Sequence, residues 1–200
     1  MAIPIEQDIT IYKGATFQMV LRWDTGVPTF KAVSGITKAA PAVITCTGHG
    51  VPEGWPVAIV SAQGMTEINE DDIEDRDNFT PASISDADTI SLPFVNSSEY
   101  TTYTSGGYVA YYTPHSLAAF IARMQIRPSY GADEATVSLV SPTNIALDDT
   151  VKTITVTIAD SVTEDLSITN GVYDLELEDN TGVVYQLARG EAFIEDEATQ

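Results

Sequence analysis

The densest chemistry in this sequence is a run of carboxylates. Glu70-Asp71-Asp72-Ile73-Glu74-Asp75-Arg76-Asp77 sets six acids in eight residues. Clustered carboxylate oxygens suit hard cations, so Asp71, Asp72, Glu74, Asp75 and Asp77 form a candidate calcium site. The spacing departs from an EF-hand loop, because no glycine stands in Asp75-Arg76-Asp77 where that loop must turn. Two other readings use the same residues: a solvated acidic loop, and an electrostatic docking loop for a basic neighbour. The segment is an interface candidate, and no metal and no cofactor are expected.

Cys46 and His49 lie close enough in sequence to suggest a thiol–imidazole pair. A nucleophilic cysteine needs a base and an oxyanion site beside it. Val43-Ile44-Thr45-Cys46-Thr47 alternates as a strand does, and His49 sits in a Gly48-His49-Gly50 turn. The expectation is therefore a small, buried strand cysteine. As the one cysteine of the chain, it also excludes an intramolecular disulfide and a thiolate metal cluster. The other histidine, His115, also adjoins turn residues. The chain has no glycine-rich phosphate loop, no His-Glu-x-x-His and no Gly-x-Ser-x-Gly. With 29 acids, two carboxylates at a glycosidase spacing arise by chance. The sequence reads as that of a non-enzymatic protein.

Five tyrosines, Tyr100, Tyr103, Tyr108, Tyr111 and Tyr112, fall within 13 residues. Exposed tyrosines stack on sugars or anchor interfaces; buried ones pack on a sheet. Tyr111, Tyr112 and His115 join the acidic loop as interface candidates. Trp23 and Trp55 read as packing residues near strand ends.

Charge narrows the partners. There are 29 acids against 9 bases, a formal net charge of −20. Nucleic acids and anionic membranes both require a basic footprint, so neither is expected. A protein surface, basic in places, is compatible. No apolar run approaches the roughly 20 residues that span a bilayer. Met1-Ala2-Ile3-Pro4-Ile5-Glu6 has neither a basic nor an apolar leader region, so the product is expected to remain in the cytosol where it is made until assembly.

The elements that must position these residues follow a period of two. Ile9–Tyr12 and Phe17–Trp23 flank Lys13-Gly14 and predict a hairpin. Gly26, Pro28, Ser34 and Gly35 predict loop. From Ile36 to Thr113, short strands are predicted at Ala42–Thr47, Pro56–Ser61, Asn78–Ile84, Thr89–Leu92 and Gly106–Tyr112, a small barrel. Beyond it, Phe120, Ala122, Met124 and Ile126 share the core-facing parity with Ala118. Further strands are predicted at Ala135–Val140 and at Thr153–Ile158. A short helix follows, capped by Ser161 with Glu164 three residues on. Gly171–Leu177 and Gly182–Ala188 form a hairpin about Asp179-Asn180-Thr181-Gly182, Gly190–Glu195 closes the fold, and the end to Gln200 is loose.

A lone hairpin at Ile9–Trp23 is not stable by itself, so it must join the strands after Pro114. The predicted architecture is all-β: a β-sandwich of residues 1–35 and 114–200, split by an inserted small β-barrel of residues 36–113. Loops tolerate such insertions because closure entropy grows slowly with length. The insert carries 11 acids and 2 bases, the flanks 18 and 7. Neither part offers a basic face.

Residues 36–111 resemble a known module. Ile36-Thr37-Lys38-Ala39-Ala40-Pro41-Ala42-Val43-Ile44-Thr45, Gly48-His49-Gly50 and Gly54 open it. Val57, Ile59 and Gly64-Met65-Thr66-Glu67-Ile68-Asn69 continue it, and Tyr100-Thr101-Thr102-Tyr103-Thr104-Ser105-Gly106-Gly107 close it. The set is similar to the repeat of phage tail and tail-fibre proteins named after the first catalytic-cysteine half-domain of ubiquitin-activating enzymes. No catalytic role passes to Cys46, since nothing here matches an adenylation site. The acidic run stands where that family turns tightly with Asn-Gly. The flanks, through Asp8–Phe17, Ala122–Arg127, Val172–Leu177 and Gly190–Ile194, are similar to small β-sandwich proteins of phage tail and baseplate clusters, including the amino-terminal domain of upper baseplate proteins.

The resemblance implies a structural component of a bacteriophage virion: a tail adaptor, baseplate or fibre-attachment subunit. It would be made in the host bacterial cytoplasm and act through contacts with other tail, neck or fibre proteins and with copies of itself in a ring. Two alternatives use the same residues: a host-glycan-binding decoration module, and a head or neck accessory protein.

Overall fold

Strict alternation in Thr153–Ile158 buries Ile154, Val156 and Ile158 and leaves the threonines half-covered. This pattern recurs along the chain. In the computed structural model, which describes residues 5–197, 51% of the protein is strand and 6% helix. The protein is all-β.

The strands are β1 (Ile5–Glu6), β2 (Ile9–Tyr12), β3 (Phe17–Leu21), β4 (Asp24–Ala32), β5 (Gly35–Ile36), β6 (Ala42–Thr45), β7 (Pro56–Gln63), β8 (Thr80–Pro81) and β9 (Ser83–Asp86). They continue as β10 (Thr89–Leu92), β11 (Ser105–Pro114), β12 (Phe120–Arg127), β13 (Val137–Val140), β14 (Ile145–Asp148) and β15 (Thr153–Ile158). After α1 (Asp160–Glu164) come β16 (Asn170–Asp179) and β17 (Val184–Glu195). Two compact units result: the chain up to Trp23 together with the chain from Ser116, and Asp24–His115.

In the discontinuous unit, a six-stranded sheet runs β1-β17-β16-β12-β13, with β2 also on β17; a three-stranded sheet runs β14-β15-β3. Met19, Leu21, Ile154 and Val156 from the small sheet share one core with Ala122, Met124, Ile126, Tyr173, Leu175 and Leu177 from the large one. Two sheets closing on a common core make a sandwich. The expected hairpin at Ile9–Trp23 is not formed. Instead, β2 pairs in parallel with β17 and β3 pairs antiparallel with β15, so the Lys13-Gly14 turn carries the chain from one sheet to the other. Gly14 makes that turn at φ +78°, and a Cβ there would lie 2.8 Å from a Glu164 carboxylate oxygen. The short helix begins at Asp160 after Ala159, not at Ser161, and has no side-chain cap.

In the Asp24–His115 unit, two four-stranded sheets, β5-β6-β10-β9 and β4-β11-β7-β8, enclose Ile44, Cys46, Trp55, Val57, Ile59, Ile90, Val109 and Tyr111. The expected small barrel does not form: no barrel is closed by hydrogen bonds in this unit. Residues 24–35 fall in this unit, not with the flanks, because β4 pairs with β11 along most of its length. Gly26 and Pro28, expected as loop, belong to β4. It is an outer strand, where a proline's missing N–H costs no ladder bond.

Candidate functional site

The acidic run belongs to a long connection between β7 and β8 that is tied down at both ends. It leaves β7 through Gly64 at φ +82°, where a Cβ would lie 2.3 Å from the Thr102 carbonyl oxygen; only glycine fits this close approach. Met65 is fully buried. Asn69 then takes the place of a strand partner. Its Oδ1 accepts from the Ala62 N–H at 2.8 Å, and its Nδ2 donates to the Ala62 carbonyl at 3.0 Å. The Glu70 N–H donates to Ile59 O at 2.7 Å. Glu67 holds the far wall, accepting from the N–H and Oγ1 of Thr101 at 2.9 and 2.7 Å. Those bonds, the hydroxyl's first, keep its carboxyl below the usual range.

Beyond Glu70 the carboxylates turn onto their own backbone. Glu70 accepts from the Asp72 N–H at 3.1 Å, Asp72 from the Glu74 N–H at 2.9 Å, and Asp75 from the Asp77 N–H at 3.2 Å. These are local turns that acidic side chains make readily. Asp71, Asp72, Glu74, Asp75 and Asp77 are all exposed. Among the described residues no three acid, histidine or cysteine side chains converge as metal ligands. The structure does not bring the candidate calcium ligands together.

The one base in the run does bring the segment onto the sheet. The Arg76 guanidinium bonds the Asp24 carboxylate at 2.7 Å and lies over the Tyr112 ring, 3.6 Å from its centroid. The Tyr112 hydroxyl donates to Ile73 O at 3.1 Å, and the Phe79 ring lies tilted beside Tyr112 with centroids 6.0 Å apart. Asp24 also faces His115, raising that imidazole's proton affinity against the larger effect of burial, which lowers it. The acidic loop and the Tyr112–His115 flank, two separate candidates in the sequence, are thus one surface. Asp24, Arg76 and Asn69 were missed by sequence reasoning. Arg76 carried a signal, as a lone base among six acids; its partner Asp24, 52 residues away, carried none.

Tyr111 does not belong to this surface. It is 5% exposed, and its hydroxyl donates to His49 O at 2.8 Å. The tyrosine cluster is dispersed: Tyr103 bonds Val33 O and Gly106 O, Tyr112 lies under Arg76, and Tyr108 pairs edge-on with Phe30. They form no common platform.

The thiol and imidazole are likewise committed. Cys46 is fully buried, and burial pushes its thiol up, away from the nucleophilic thiolate. His49 accepts from the Val51 N–H at Nδ1 and places Nε2 2.9 Å from Asp86 O, so Nε2 carries the proton and both ring nitrogens hold backbone. What the arrangement supplies is a rigid, anionic protein surface.

No protein-family model matches the chain, and no curated protein matches it.

Proposed function

We propose that this protein is a structural subunit of a bacteriophage virion, serving in the tail as an adaptor, baseplate or fibre-attachment component through protein–protein contacts. What supports this reading is the resemblance, carried by the sequence motifs quoted above, of residues 36–111 to the tail and tail-fibre module; that stretch lies wholly inside the compact Asp24–His115 unit. The pinned acidic surface agrees with it: a rigid contact face costs little ordering on docking, and a net charge of −20 keeps free subunits apart until they assemble.

The test is direct. Purified particles are analysed by mass spectrometry, and particles carrying a tagged copy of the chain are imaged. The chain is expected in the virion, with the tag on the tail. Its absence from purified virions would sink the reading. A tag on the head would replace the tail role with that of a head accessory.

A further inference from the structure

Phe94 is 80% exposed, more than any other large hydrophobic side chain among the described residues. It cannot withdraw. Leu92 before it is buried, Val95 after it packs on the core, and the Val95 N–H closes the turn on Leu92 O at 3.0 Å. Buried Ser97 ties that turn to the neighbouring loop, donating to Thr37 O at 2.7 Å and accepting from the Ala39 N–H at 3.1 Å. Lys38, between those two anchors, is exposed and makes no ion pair among the described residues. Acids are sparse in the flanking sequence, with none in residues 25–52 or 89–98, and Glu67 is a carboxylate that feels the Lys38 charge. The tip is a rigid aromatic knob beside a cation.

The other unit carries an open groove of about 570 Å³ between the segment after β12 and the segment around α1. Ala135, Val162 and Ile168 give it apolar walls, buried Leu166 adds to them, and exposed Glu134 and Asp165 line the same groove. Val162 is 43% exposed. Knob and groove are complementary in both respects: ring against aliphatic wall, ammonium against carboxylates.

We propose that the protein self-associates head to tail, with Phe94 of one copy seated in the Val162 groove of the next and Lys38 meeting Glu134 and Asp165. Such a contact is heterologous, so it propagates into a ring or a filament instead of stopping at a symmetric dimer. The inference deepens the virion reading, which expects copies in a ring, yet its test on the purified chain can fail while the chain is still found in virions.

Light scattering on the full chain, across concentration and salt, tests it alongside Phe94→Ser and Val162→Asp. Both positions are exposed, and circular dichroism checks that each variant folds. Wild type is expected to form concentration-dependent oligomers, and each variant to weaken association by about tenfold or more, as central contacts do. An equimolar mixture of the two variants retains one intact knob and one intact groove, and should stop at a mixed dimer. Monomeric wild type at every concentration, unchanged association of either folded variant, or no mixed dimer would each overturn the proposal.

Discussion

The Arg76 guanidinium carbon lies over Tyr112, 3.6 Å from the ring centroid, while the same group bonds the Asp24 carboxylate. This side chain, together with the Tyr112 hydroxyl on Ile73 O, ties an acidic loop to a sheet. A cation over an aromatic ring contributes about 0.5–2 kcal/mol, and a partly exposed ion pair under about 1 kcal/mol. Arg76→Ala should cost about 1 kcal/mol in global stability, because the core does not depend on it. Its local effect should be larger. Amide exchange across Asp71–Phe79 is expected to accelerate while Val57 and Ile59 in β7 stay protected. Arg76→Lys should recover little, since an ammonium cannot both stack and fork. Mass-resolved hydrogen exchange reads both outcomes.

Acid should weaken the discontinuous unit in a definite pH window. Asp149 is held below its ordinary value first by its bond from the Lys152 ammonium, 2.6 Å away, then by the Leu117 N–H. Asp148 and Asp179 are lowered by neighbouring N–H and hydroxyl donors. A carboxyl whose folded pKa lies below its unfolded one stabilises fully above the unfolded value of about 3.9 and loses that contribution as pH falls through the folded value. Urea titrations of wild type and Asp149→Ala should differ at pH 7 and converge once the pH is well below 4. A gap that persists in acid would show that Asp149 acts through packing and not through charge.

The strands that alternate over a buried face were legible. Phe120–Arg127 and Thr153–Ile158 write their inward residues directly into the sequence, since period two leaves one parity for the core. Pairing was not legible. Ile9–Tyr12 and Phe17–Leu21 look like hairpin arms because the signal for a turn is local, whereas their true partners, β17 and β15, lie more than 130 residues away. β4 was hidden for a different reason. As an outer strand with mostly exposed residues it has no apolar alternation to read, and Gly26 and Pro28 resemble loop. The candidate site divided in the same way. The acidic run was plain, its local turns followed from composition, and its docking through Arg76 to Asp24 was a long-range contact with no sequence period behind it.

Asp174 runs opposite to Asp149. Burial first, and then the Glu176 charge, push its carboxyl up, despite Arg127 and Arg123 nearby. A folded pKa above the unfolded one means that the charged form is penalised by folding: the penalty is absent below about pH 3.9 and complete once the pH exceeds the folded value. Asp174→Asn is therefore expected to raise the melting temperature at pH 7 and to match wild type near pH 3. A destabilised variant at pH 7 would mean that the attraction of Arg127 and Arg123 outweighs the burial of Asp174.

Gly190 marks where the amino-terminal strands lie against β17. A Cβ there would sit 2.2 Å from the Gln7 carbonyl oxygen and 3.1 Å from Asp8 Oδ1. That same segment is held by the Gln7 N–H on Arg189 O at 3.0 Å, by Asp8 accepting from the Glu191 N–H at 2.9 Å, and by the Tyr173 hydroxyl on Gln7 O at 2.7 Å. Gly190→Ala must displace Gln7–Asp8 and with it these three bonds. A loss of about 2–4 kcal/mol is expected from overpacking together with the buried Tyr173 hydroxyl left without its partner. Tyr173 reports the displacement independently. Burial, and secondarily the Asp8 charge, push its phenol up to about 12. With the segment moved away, both causes weaken, and ultraviolet titration should find the phenol ionising nearer the ordinary value of about 10. A phenol still ionising near 12 in a folded Gly190→Ala protein would mean that the strand tolerates the methyl group without moving.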